Sequence, residues 1–485
     1  MLQKLSRMRA STYILIAVLE VAMLELVSED LASGFISFFC VSFIIWSYIG
    51  NRIVSKFVPL REMIHETNVR GNDIHRSIRP IIILFPFIGW LFQPLAIALA
   101  LLISLIALPL ALRQLKMIFT CHRIQGETET RLREIAPQCV LYISGPAGVA
   151  YQVNQWIPVL EALRIKTVIV VRNVPLFKRM RFTKLPVFYA RDNKAVEKIL
   201  NTGPRIVLYP NNRQPNVSAL HHPHLIHVFI NHGESDKITN QSKMLMAYDY
   251  LFVGGSFASK RLLNAGLPIR DGQIVEIGRP QTELLLTTSQ ENNSVRNILY
   301  APTWEGGFEA TNYSSVGNFS ITILKLLAKR NDLHVQLKLH PLTGSVSSAT
   351  RKAVRQMRAI VAKAPNIEII DNSESIHEAM NWSDMLITDI SAVLADYLIT
   401  DKPIALCAHF VTGRPLDELF NEFPLSNATY IIQKPLDLVD VLAAVSNGDP
   451  LREKRTRIRY EAIGEHGALA RFEAKLLEIL GVARL

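Results

Sequence analysis

The sequence has few cysteines, and none of them has the spacing of a metal-binding pair. The four cysteines, Cys40, Cys121, Cys139 and Cys407, are scattered along 485 residues. Because there is no C-x-x-C pair, a zinc ribbon is excluded, and four distant thiols are too few for a disulfide framework. We therefore expect reduced thiols that face a cytosol.

The sequence also lacks a block of charge of one sign. Its net charge is +11, but lysines and arginines are spread along the chain. Nucleic-acid-binding proteins usually carry a concentrated basic stripe, so no nucleic acid partner is expected. A modest and distributed positive charge favours an anionic membrane face or a phosphate-bearing substrate. The mean hydropathy of +0.19 is high for a purely soluble protein and indicates a membrane portion.

Long apolar runs occur only near the N-terminus. Leu31–Gly50 has 20 residues without a charge, which matches a hydrocarbon core of about 30 Å. Ser11–Val27 is interrupted by two glutamates, and Ile81–Leu112 has 32 uncharged residues with three prolines. Lysine and arginine clusters flank these segments, and the positive-inside rule puts the clusters in the cytoplasm. Residues 1–126 are predicted to be a helical membrane-anchoring region, with the catalytic domains on the cytoplasmic side of the cell membrane. Three topologies remain open for Ile81–Leu112: a single span, a pair of short spans or a re-entrant segment. A single span would put the C-terminal part of the chain outside the cell.

Short apolar runs alternate with longer helical patterns from about residue 136 onwards. Such alternation predicts parallel sheets covered by helices on both faces. Two sets of strands predict two doubly wound Rossmann-type domains, over residues 136–282 and 294–485, with a polar junction between them. The expected strands are Val140–Ser144, Thr167–Arg172, Val187–Ala190, Arg205–Pro210, His227–Asn231, Tyr250–Gly254, Ile274–Gly278, Asn297–Thr303, His334–His340, Ile367–Ile370, Met385–Thr388, Ile404–Cys407 and Tyr430–Gln433. Leu438–Ala444 and Arg455–Leu480 read as terminal helices.

Ligands of doubly wound domains bind at the carboxyl ends of strands, so the residues that follow each strand are the candidates. In the stretch HVFINHGESDK, His232 follows an apolar strand and has a side-chain pKa suited to a general base. Gly233 allows a sharp turn. Asp236 or Glu234 is expected to orient the imidazole, and Lys237 to hold a phosphate.

Three more strand ends carry reactive side chains. NILYAPTW ends in Thr303 and Trp304, a hydroxyl and a flat aromatic face for a substrate or a base. VQLKLHP places Lys338 and His340 two residues apart, which on a strand puts both on one face and suits a pyrophosphate.

In MLITDISAVLADY, Ser391 opens a helix whose free N–H groups favour phosphate. Asp389 ends the preceding strand, and Asp396 is placed to reach a sugar or polyol hydroxyl. An ordinary serine N-cap is the simpler reading of Ser391.

Metal and cofactor signatures are missing. The histidines of HHPHLIH match no zinc template, and no D-x-D-like motif occurs. The stretch Ser144–Gly148 fits neither a dinucleotide fingerprint nor a P-loop, which leaves an acceptor phosphate site or a tight turn. No metal and no cofactor are expected.

In this order, these motifs resemble the CDP-glycerol glycerophosphotransferase family of teichoic acid primases and polymerases. The similarity covers about residues 140–440 and rests on short motifs. They are HG with a following lysine (His232, Gly233, Lys237), YAPTW (Tyr300–Trp304), LHP (Leu339–Pro341), and TD-x-S with DY and KP (Thr388, Asp389, Ser391, Asp396, Tyr397, Lys402, Pro403). The resemblance implies a GT-B-type fold and a CDP-activated polyol phosphate as the substrate.

The resemblance also implies roles for individual residues. His232 is the general base on the acceptor hydroxyl, and His340 and Ser391 bind the pyrophosphate. Asp389 orders the loop, and Asp396 lies near the polyol or the ribose. The sequence departs from the family at Ala392, where a second serine is usual, at Glu234-Ser235, where Thr-Pro is usual, and at Glu305, where arginine is frequent.

The function expected from the sequence is transfer of glycerol phosphate, or a related polyol phosphate, from a CDP-polyol to a lipid-linked or cell-surface polymer acceptor. The enzymatic alternative is a GT-B glycosyltransferase or epimerase that uses a nucleotide sugar. The non-enzymatic alternative is a membrane scaffold with a degenerate GT-B body, against which intact His232, His340 and Asp389 argue. The polyol, the acceptor and the oligomeric state are not readable from the sequence.

Overall fold

The computed structural model describes residues 60–63, 119–120, 123–236, 242–285, 295–307, 309–371, 374–411, 413 and 415–481. The predicted membrane segments Ser11–Val27, Leu31–Gly50 and Ile81–Leu112 lie outside these residues. Within the described part of the chain, no helix has both the length and the apolar character needed to cross a bilayer.

The chain divides into two compact units, Met1–Ile135 with Phe188–Ile199, and Ala136–Val187 with Leu200–Leu485. In the first unit, strand β1 (Leu60–Glu62) pairs antiparallel with β4 (Val187–Ala190). The first unit also contains a helix at 123–135 and the helix Asn193–Leu200. An ion pair between Glu129 of the former and Lys198 of the latter links the two helices. The sequence pattern did not indicate β1, because three residues are too few for a recognisable alternation.

The second unit contains two sets of parallel strands. The first set runs in the order β3-β2-β5-β6-β7-β8 and the second in the order β11-β10-β9-β12-β13-β14. The strands are β2 (Cys139–Ile143), β3 (Thr167–Val171), β5 (Ile206–Tyr209), β6 (Ile226–Phe229), β7 (Tyr250–Val253), β8 (Ile274–Glu276), β9 (Asn297–Ala301), β10 (His334–Leu337), β11 (Ile367–Ile369), β12 (Met385–Thr388), β13 (Ile404–Cys407) and β14 (Tyr430–Ile432). The two parallel sheets of a GT-B-like α/β fold predicted from the sequence are confirmed.

Helices connect these strands, and the last three helices follow β14. In chain order they are Ala150–Asn154, Ile157–Ala162, Val174–Phe177, Val217–Leu220, Ser256–Asn264, Pro280–Leu285, Asn318–Leu327, Ser348–Val361, Ile376–Trp382, Ala392–Tyr397, Leu416–Glu422, Asp437–Ser446, Arg452–Ile463 and Ala468–Leu480. The expectation of one helix over Arg455–Leu480 was wrong. Gly464 and Gly467 have φ angles of 71° and 90°, which end one helix and allow the next to start.

Both faces of the second sheet are buried. Leu299 and Ala301 of β9 pack in one apolar cluster, and the alternate residues Ile298 and Tyr300 pack in another. Side chains that alternate between two buried faces explain why these strands read as continuous apolar runs in the sequence.

Strand order fixes where a ligand can bind. In the first sheet β3 and β5 lie on opposite sides of β2, and in the second sheet β10 and β12 lie on opposite sides of β9. Each reversal opens a crevice at the carboxyl ends of the strands. The loops after β2, β5, β9 and β12 therefore border these crevices, and the loops after the neighbouring strands β6 and β10 lie beside them.

Candidate active site

His232 stands in a turn that begins two residues after the end of β6. Asn231 has a φ of 55°, which is the left-handed region that asparagine tolerates. Its side chain accepts the His232 backbone N–H at 2.8 Å and donates to the Gly233 carbonyl at 2.8 Å. Trp156 donates its indole N–H to the Asn231 carbonyl at 2.6 Å, and Gln155 donates to the His232 carbonyl. The turn is thus fixed from both sides.

The hydrogen bonds of the His232 ring determine which nitrogen carries the proton. Nδ1 lies 2.8 Å from the Pro210 carbonyl oxygen, which can only accept, so Nδ1 holds the hydrogen. Nε2 lies 3.2 Å from the amide nitrogen of Gln152, which can only donate. The neutral ring therefore presents an unprotonated Nε2.

A chain of buried amides confirms the orientation of the Gln152 side chain. Asn211 donates its amide nitrogen to the Ser144 carbonyl at 3.1 Å and to Gln152 Oε1 at 2.9 Å. Since a carbonyl cannot donate, the Asn211 amide has one possible orientation, and this fixes the amide of Gln152 in turn. The loops after β2 and β5 thereby set the tautomer of His232.

The environment of His232 lowers the pKa of its imidazole to about 4. Burial is the largest cause, and the positive charge of Arg279 adds to it, while the hydrogen bond to Pro210 opposes both. His232 is therefore neutral at physiological pH and holds its Nε2 lone pair ready to accept a proton.

His340 follows β10 and has the opposite arrangement. Its Nδ1 accepts the backbone N–H of Leu342 at 3.1 Å, so in the neutral ring the hydrogen is on Nε2. Trp304 stacks on the imidazole with a centroid distance of 6.0 Å and an interplanar angle of 17°. His340 therefore directs an N–H group, and not a lone pair, away from its backbone contact.

The ring of Tyr151 contacts both histidines. Its ring meets His232 edge-on at 5.8 Å and His340 edge-on at 5.4 Å, with an interplanar angle of 78° in each case. Tyr151 lies on the helix Ala150–Asn154, which directly follows Ser144–Gly148 and also carries Gln152. No sequence motif marks either residue, although both lie within four residues of the Ser144–Gly148 stretch.

The turn of His232 also packs against the start of the helix Ala392–Tyr397. A Cβ built on Gly233 would lie 2.5 Å from the Cβ of Ala392. This close approach is the reason for glycine at 233, and the sharp turn expected there is made by Asn231 instead. Ser391 does not cap its helix through its side chain. The Thr388 hydroxyl donates its hydrogen to the Ala301 carbonyl. The Ser391 hydroxyl is therefore the donor in its 3.2 Å hydrogen bond with Thr388 Oγ1.

Asp389 and Glu305 order the loops of the second sheet. Asp389 accepts the backbone N–H groups of Thr303 at 2.8 Å and Ser315 at 3.1 Å. Glu305 accepts three backbone N–H groups, from Gly344, Val346 and Ser347, at 3.0–3.1 Å. Burial alone would raise the pKa of Glu305, but these three hydrogen bonds reverse the effect and lower it. Glu305 thus joins the loop that carries Trp304 to the loop that follows His340.

Four predicted site residues have partners other than the expected ones, and two of them lie close to His232 in the sequence. Asp236 was expected to orient His232, but its carboxylate accepts from Arg261 at 3.4 Å and from the Leu425 backbone N–H at 3.1 Å. The oxygen that orients the His232 ring is the Pro210 carbonyl, which no sequence pattern marks. Glu234, the other expected orienting residue, accepts from Arg261 and from the Gly254 N–H.

Asp396 and Lys338 also differ from expectation. Asp396 was expected beside a polyol or ribose, but both of its oxygens are held by the guanidinium of Arg279, at 2.9 and 3.1 Å. Lys338 was expected to share a face with His340, but its ammonium donates to the carbonyls of Asp371 and Glu374, at 2.8 and 3.0 Å. The remaining predicted contact, Lys237, lies outside the described residues.

His377 is a buried histidine that the sequence did not single out. Its backbone N–H is capped by Ser375, and its pKa is lowered to about 4 by burial, with contributions from Arg279 and Arg181. Among the described residues, no group of histidine, cysteine, aspartate and glutamate side chains has the arrangement of a metal site.

Residues 216–462, just over half of the chain, match the family described as CDP-Glycerol:Poly(glycerophosphate) glycerophosphotransferase. The chain belongs to this family. It is therefore a CDP-glycerol glycerophosphotransferase-like enzyme, as the motifs predicted. The matched span contains His232, His340, Asp389 and Ser391, whereas Tyr151 and Gln152 precede it.

Solved structures share the fold at low sequence identity. The wall teichoic acid polymerase TagF, as a variant soaked with CDPG, is 14% identical, with a TM-score of 0.50 over 76% of this chain and 97% of that chain. A second structure of the same TagF variant, whose name mentions no CDPG, is 15% identical with the same TM-score and coverage. A UDP-N-acetylglucosamine 2-epimerase from Listeria monocytogenes is 12% identical over 71% of this chain and 97% of that chain, with a TM-score of 0.48. No curated protein is similar enough in sequence to count as a relative.

Proposed function

We propose that this glycerophosphotransferase moves glycerol phosphate, or a related polyol phosphate, from a CDP-polyol to a lipid-linked or cell-surface polymer acceptor, with His232 as the general base. The observation that carries the proposal is the unprotonated Nε2 of His232. A base must hold a lone pair where the acceptor hydroxyl arrives, and the contacts of His232 with Pro210 and Gln152 provide this arrangement.

The proposed reaction is one displacement at phosphorus. The acceptor hydroxyl oxygen attacks the phosphorus that bears the polyol, and a new P–O bond forms. The P–O bond to the second phosphate of the donor breaks, and CMP leaves with the electron pair. The hydroxyl proton passes to His232 Nε2. In this step the acceptor hydroxyl takes the place of the Gln152 amide beside Nε2.

Binding of the CDP-polyol strengthens the base. A pKa of about 4 makes His232 a weak base in the free enzyme. The negative pyrophosphate of a bound CDP-polyol favours the protonated imidazole and so raises the pKa of His232 towards the working pH. This coupling makes the base effective once the polyol-phosphate donor is in place.

The second sheet supplies the side of the site that receives the nucleotide. His340 offers its Nε2–H to a phosphate oxygen, and Trp304 holds the imidazole ring in place. Thr303, which Asp389 fixes, lies beside Trp304. In this proposal residues 136–282 bind the acceptor and residues 294–485 bind the nucleotide. The CDP-polyol is the substrate, and the reaction requires no cofactor.

The proposed cellular setting is teichoic acid synthesis at the cytoplasmic face of the cell membrane. The uncharged segments Leu31–Gly50 and Ile81–Leu112 support membrane attachment of residues 1–126. The name of the TagF structures, a wall teichoic acid polymerase, supports the polymer as the acceptor class.

Nucleotide release from the detergent-solubilised full chain tests this proposal. CDP-glycerol, CDP-ribitol, UDP-sugars and GDP-sugars are each offered with a membrane-lipid extract. We expect CMP from a CDP-polyol, loss of release in His232→Ala, and unchanged release in His334→Ala, whose histidine is exposed at the start of β10. Release of UDP or GDP would overturn the proposal in favour of a nucleotide-sugar enzyme. Full CMP release by His232→Ala would remove His232 as the base.

A further inference from the structure

The loop after β5 carries one arginine among three asparagines. Residues 210–216 read PNNRQPN, and we call them the asparagine loop. Its first residue, Pro210, orients the ring of His232, and its second, Asn211, fixes the amide of Gln152. The asparagine loop is therefore part of the candidate active site.

Hydrogen bonds engage the side chains of all three asparagines. Asn211 donates to the Ser144 carbonyl at 3.1 Å, and Asn212 accepts the Tyr248 hydroxyl at 3.1 Å. Asn216 donates to the Asn211 carbonyl at 2.6 Å. These contacts hold the asparagine loop in one conformation, so the fold sets the position of its arginine.

That arginine, Arg213, lies across the glycine that stands two residues after the end of β2. A Cβ built on Gly145 would lie 3.4 Å from Arg213 Nε and 3.6 Å from Arg213 Cδ. Gly145 also has a φ of 138°, a backbone conformation that other residues rarely adopt. Glycine at 145 therefore gives the arginine side chain room to lie over the stretch Ser144–Gly148.

The Arg213 guanidinium has no internal partner in the part of the chain that the structure describes. The residue is exposed, and among those residues its side chain forms no hydrogen bond and no ion pair. Its charge acts on Tyr151, where burial raises the pKa of the hydroxyl and both the hydrogen bond with Gln152 and the charge of Arg213 oppose that rise. Such a guanidinium suits an anion of the substrate, because arginine binds phosphate through two parallel N–H groups.

A single amide nitrogen links the proposed base to the tyrosine beside Arg213. Gln152 Nε2 lies 3.2 Å from His232 Nε2 and 3.3 Å from the Tyr151 hydroxyl. In the proposed reaction the acceptor hydroxyl takes the place of this amide. The rest of the acceptor therefore has a path past Tyr151 to Arg213, on the side of the first sheet.

We propose that Arg213 binds a phosphate of the acceptor, one polyol unit away from the hydroxyl that attacks. The acceptor is then itself a polyol phosphate, and a neutral polyol is a poor acceptor. This inference rests on the proposed function and adds the chemical class of the acceptor. The donor also carries phosphate, but the proposed function places its pyrophosphate beside His340 of the second sheet, whereas Arg213 belongs to the loop that orients the base.

Binding of glycerol 3-phosphate to the detergent-solubilised full chain, measured by calorimetry, tests the proposal. CDP is present at a saturating concentration, so that the nucleotide side is occupied and cannot take up the probe. We expect glycerol 3-phosphate to bind and glycerol to give no signal. Arg213→Gln should weaken binding of glycerol 3-phosphate roughly 10-fold or more, which corresponds to about 1.4 kcal/mol, and Arg213→Lys, which keeps the charge, should weaken it less. A wild-type chain that does not bind glycerol 3-phosphate would overturn the proposal.

Two comparisons separate Arg213 from charge in general and from the donor. Arg355→Gln removes an exposed arginine of the helix Ser348–Val361 and should leave the binding of glycerol 3-phosphate unchanged. The affinity for CDP should be the same in the wild type and in Arg213→Gln. Equal weakening in Arg355→Gln would assign the effect to net charge, and a loss of CDP affinity in Arg213→Gln would assign the arginine to the donor. Either result would overturn the proposal.

Turnover gives a second readout and keeps this proposal separate from the proposed activity. CMP release is measured over a range of concentrations of the membrane-lipid extract. We expect Arg213→Gln to raise the concentration needed for half-maximal release and to leave KM for the CDP-polyol unchanged. Loss of glycerol 3-phosphate binding in Arg213→Gln, with no CMP release by the wild type, would contradict the transferase proposal and leave the phosphate subsite intact. CMP release with unchanged glycerol 3-phosphate binding in Arg213→Gln would do the reverse.

Discussion

The two histidines at the candidate site differ in which ring nitrogen carries the proton. His232 donates from Nδ1 to the Pro210 carbonyl and keeps a lone pair on Nε2. His340 accepts the Leu342 N–H at Nδ1 and therefore donates from Nε2. One backbone contact thus gives the same side chain opposite chemistry, a proton acceptor on the first sheet and a hydrogen-bond donor on the second.

The two imidazole rings are also held in place by different kinds of contact. A network of buried amides fixes His232, and burial lowers its pKa to about 4. His340 is held by the stacked ring of Trp304 and by a loop that Glu305 ties down. Polar changes beside His232 should therefore alter proton transfer, whereas changes beside His340 should alter binding of the CDP-polyol.

The largest effect is expected from Gln152→Glu. A carboxylate about as far from Nε2 as the present amide stabilises the imidazolium and raises the pKa of His232 above its ordinary value. At pH 7 the base would then be protonated, and we expect CMP release to fall roughly 100-fold or more. Gln356→Glu, on an exposed helix position, is the control and should keep wild-type release. Wild-type activity of Gln152→Glu would contradict the assigned tautomer.

Arg279→Ala should destabilise the protein and raise the pKa of His232. It leaves the carboxylate of Asp396 buried without its partner, a change that typically destabilises by about 3–5 kcal/mol. It also removes the cation that helps to lower the pKa of His232, so that pKa should rise. Thermal unfolding and the pH dependence of CMP release measure the two effects. Lys475→Ala breaks the more exposed pair with Glu478 and should change stability by less than about 1 kcal/mol.

Glu305→Ala should weaken binding of the CDP-polyol beside His340 and leave proton transfer at His232 unchanged. Losing three backbone hydrogen bonds loosens the loops that carry Trp304 and His340, so KM for the CDP-polyol should rise roughly 10-fold, which corresponds to about 1.4 kcal/mol. The pH profile should stay unchanged, because His232 keeps its contacts. Glu309→Ala, at an exposed position four residues on, should leave KM as it is. A shifted pH profile in Glu305→Ala would show that the two sides are coupled.

The smallest effect is expected at Tyr151. Its edge-on contacts with both histidines should each contribute about 0.5 kcal/mol, the low end for aromatic pairs, so Tyr151→Ala should lower kcat/KM by roughly 5-fold. Tyr151→Phe keeps the ring and should stay within about 2-fold of the wild type. Equal losses in both variants would assign the role to the hydroxyl and not to the ring.

Strands and motif positions could be predicted because they depend on local patterns. Continuous apolar runs such as Met385–Thr388 and Ile404–Cys407 gave the strand bounds without error, since buried parallel strands have no polar face. His232 and His340 were identified because reactive residues follow strands in this fold class.

The partners of those histidines could not be predicted, because tertiary contacts decide them. Pro210 acts through a backbone carbonyl, and Gln152 lies 80 residues from His232 in the sequence. Asp236 and Asp396 had the right charge and distance along the chain, but arginines from other elements neutralise them. For Asp236 and Asp396, the position along the chain was therefore a poor guide to the partner of the carboxylate.

The pH dependence of kcat/KM for CDP-glycerol tests the central claim most directly, because it reports the ionisation of the free enzyme. A general base works in its unprotonated form, so a His232 with a pKa of about 4 predicts constant kcat/KM from about pH 8 to pH 5 and a fall only near pH 4. Returning samples to pH 7 checks that the fall is reversible. A fall centred at or above pH 6.5 would mean an ordinary imidazole at 232 and would contradict the assigned neutral base.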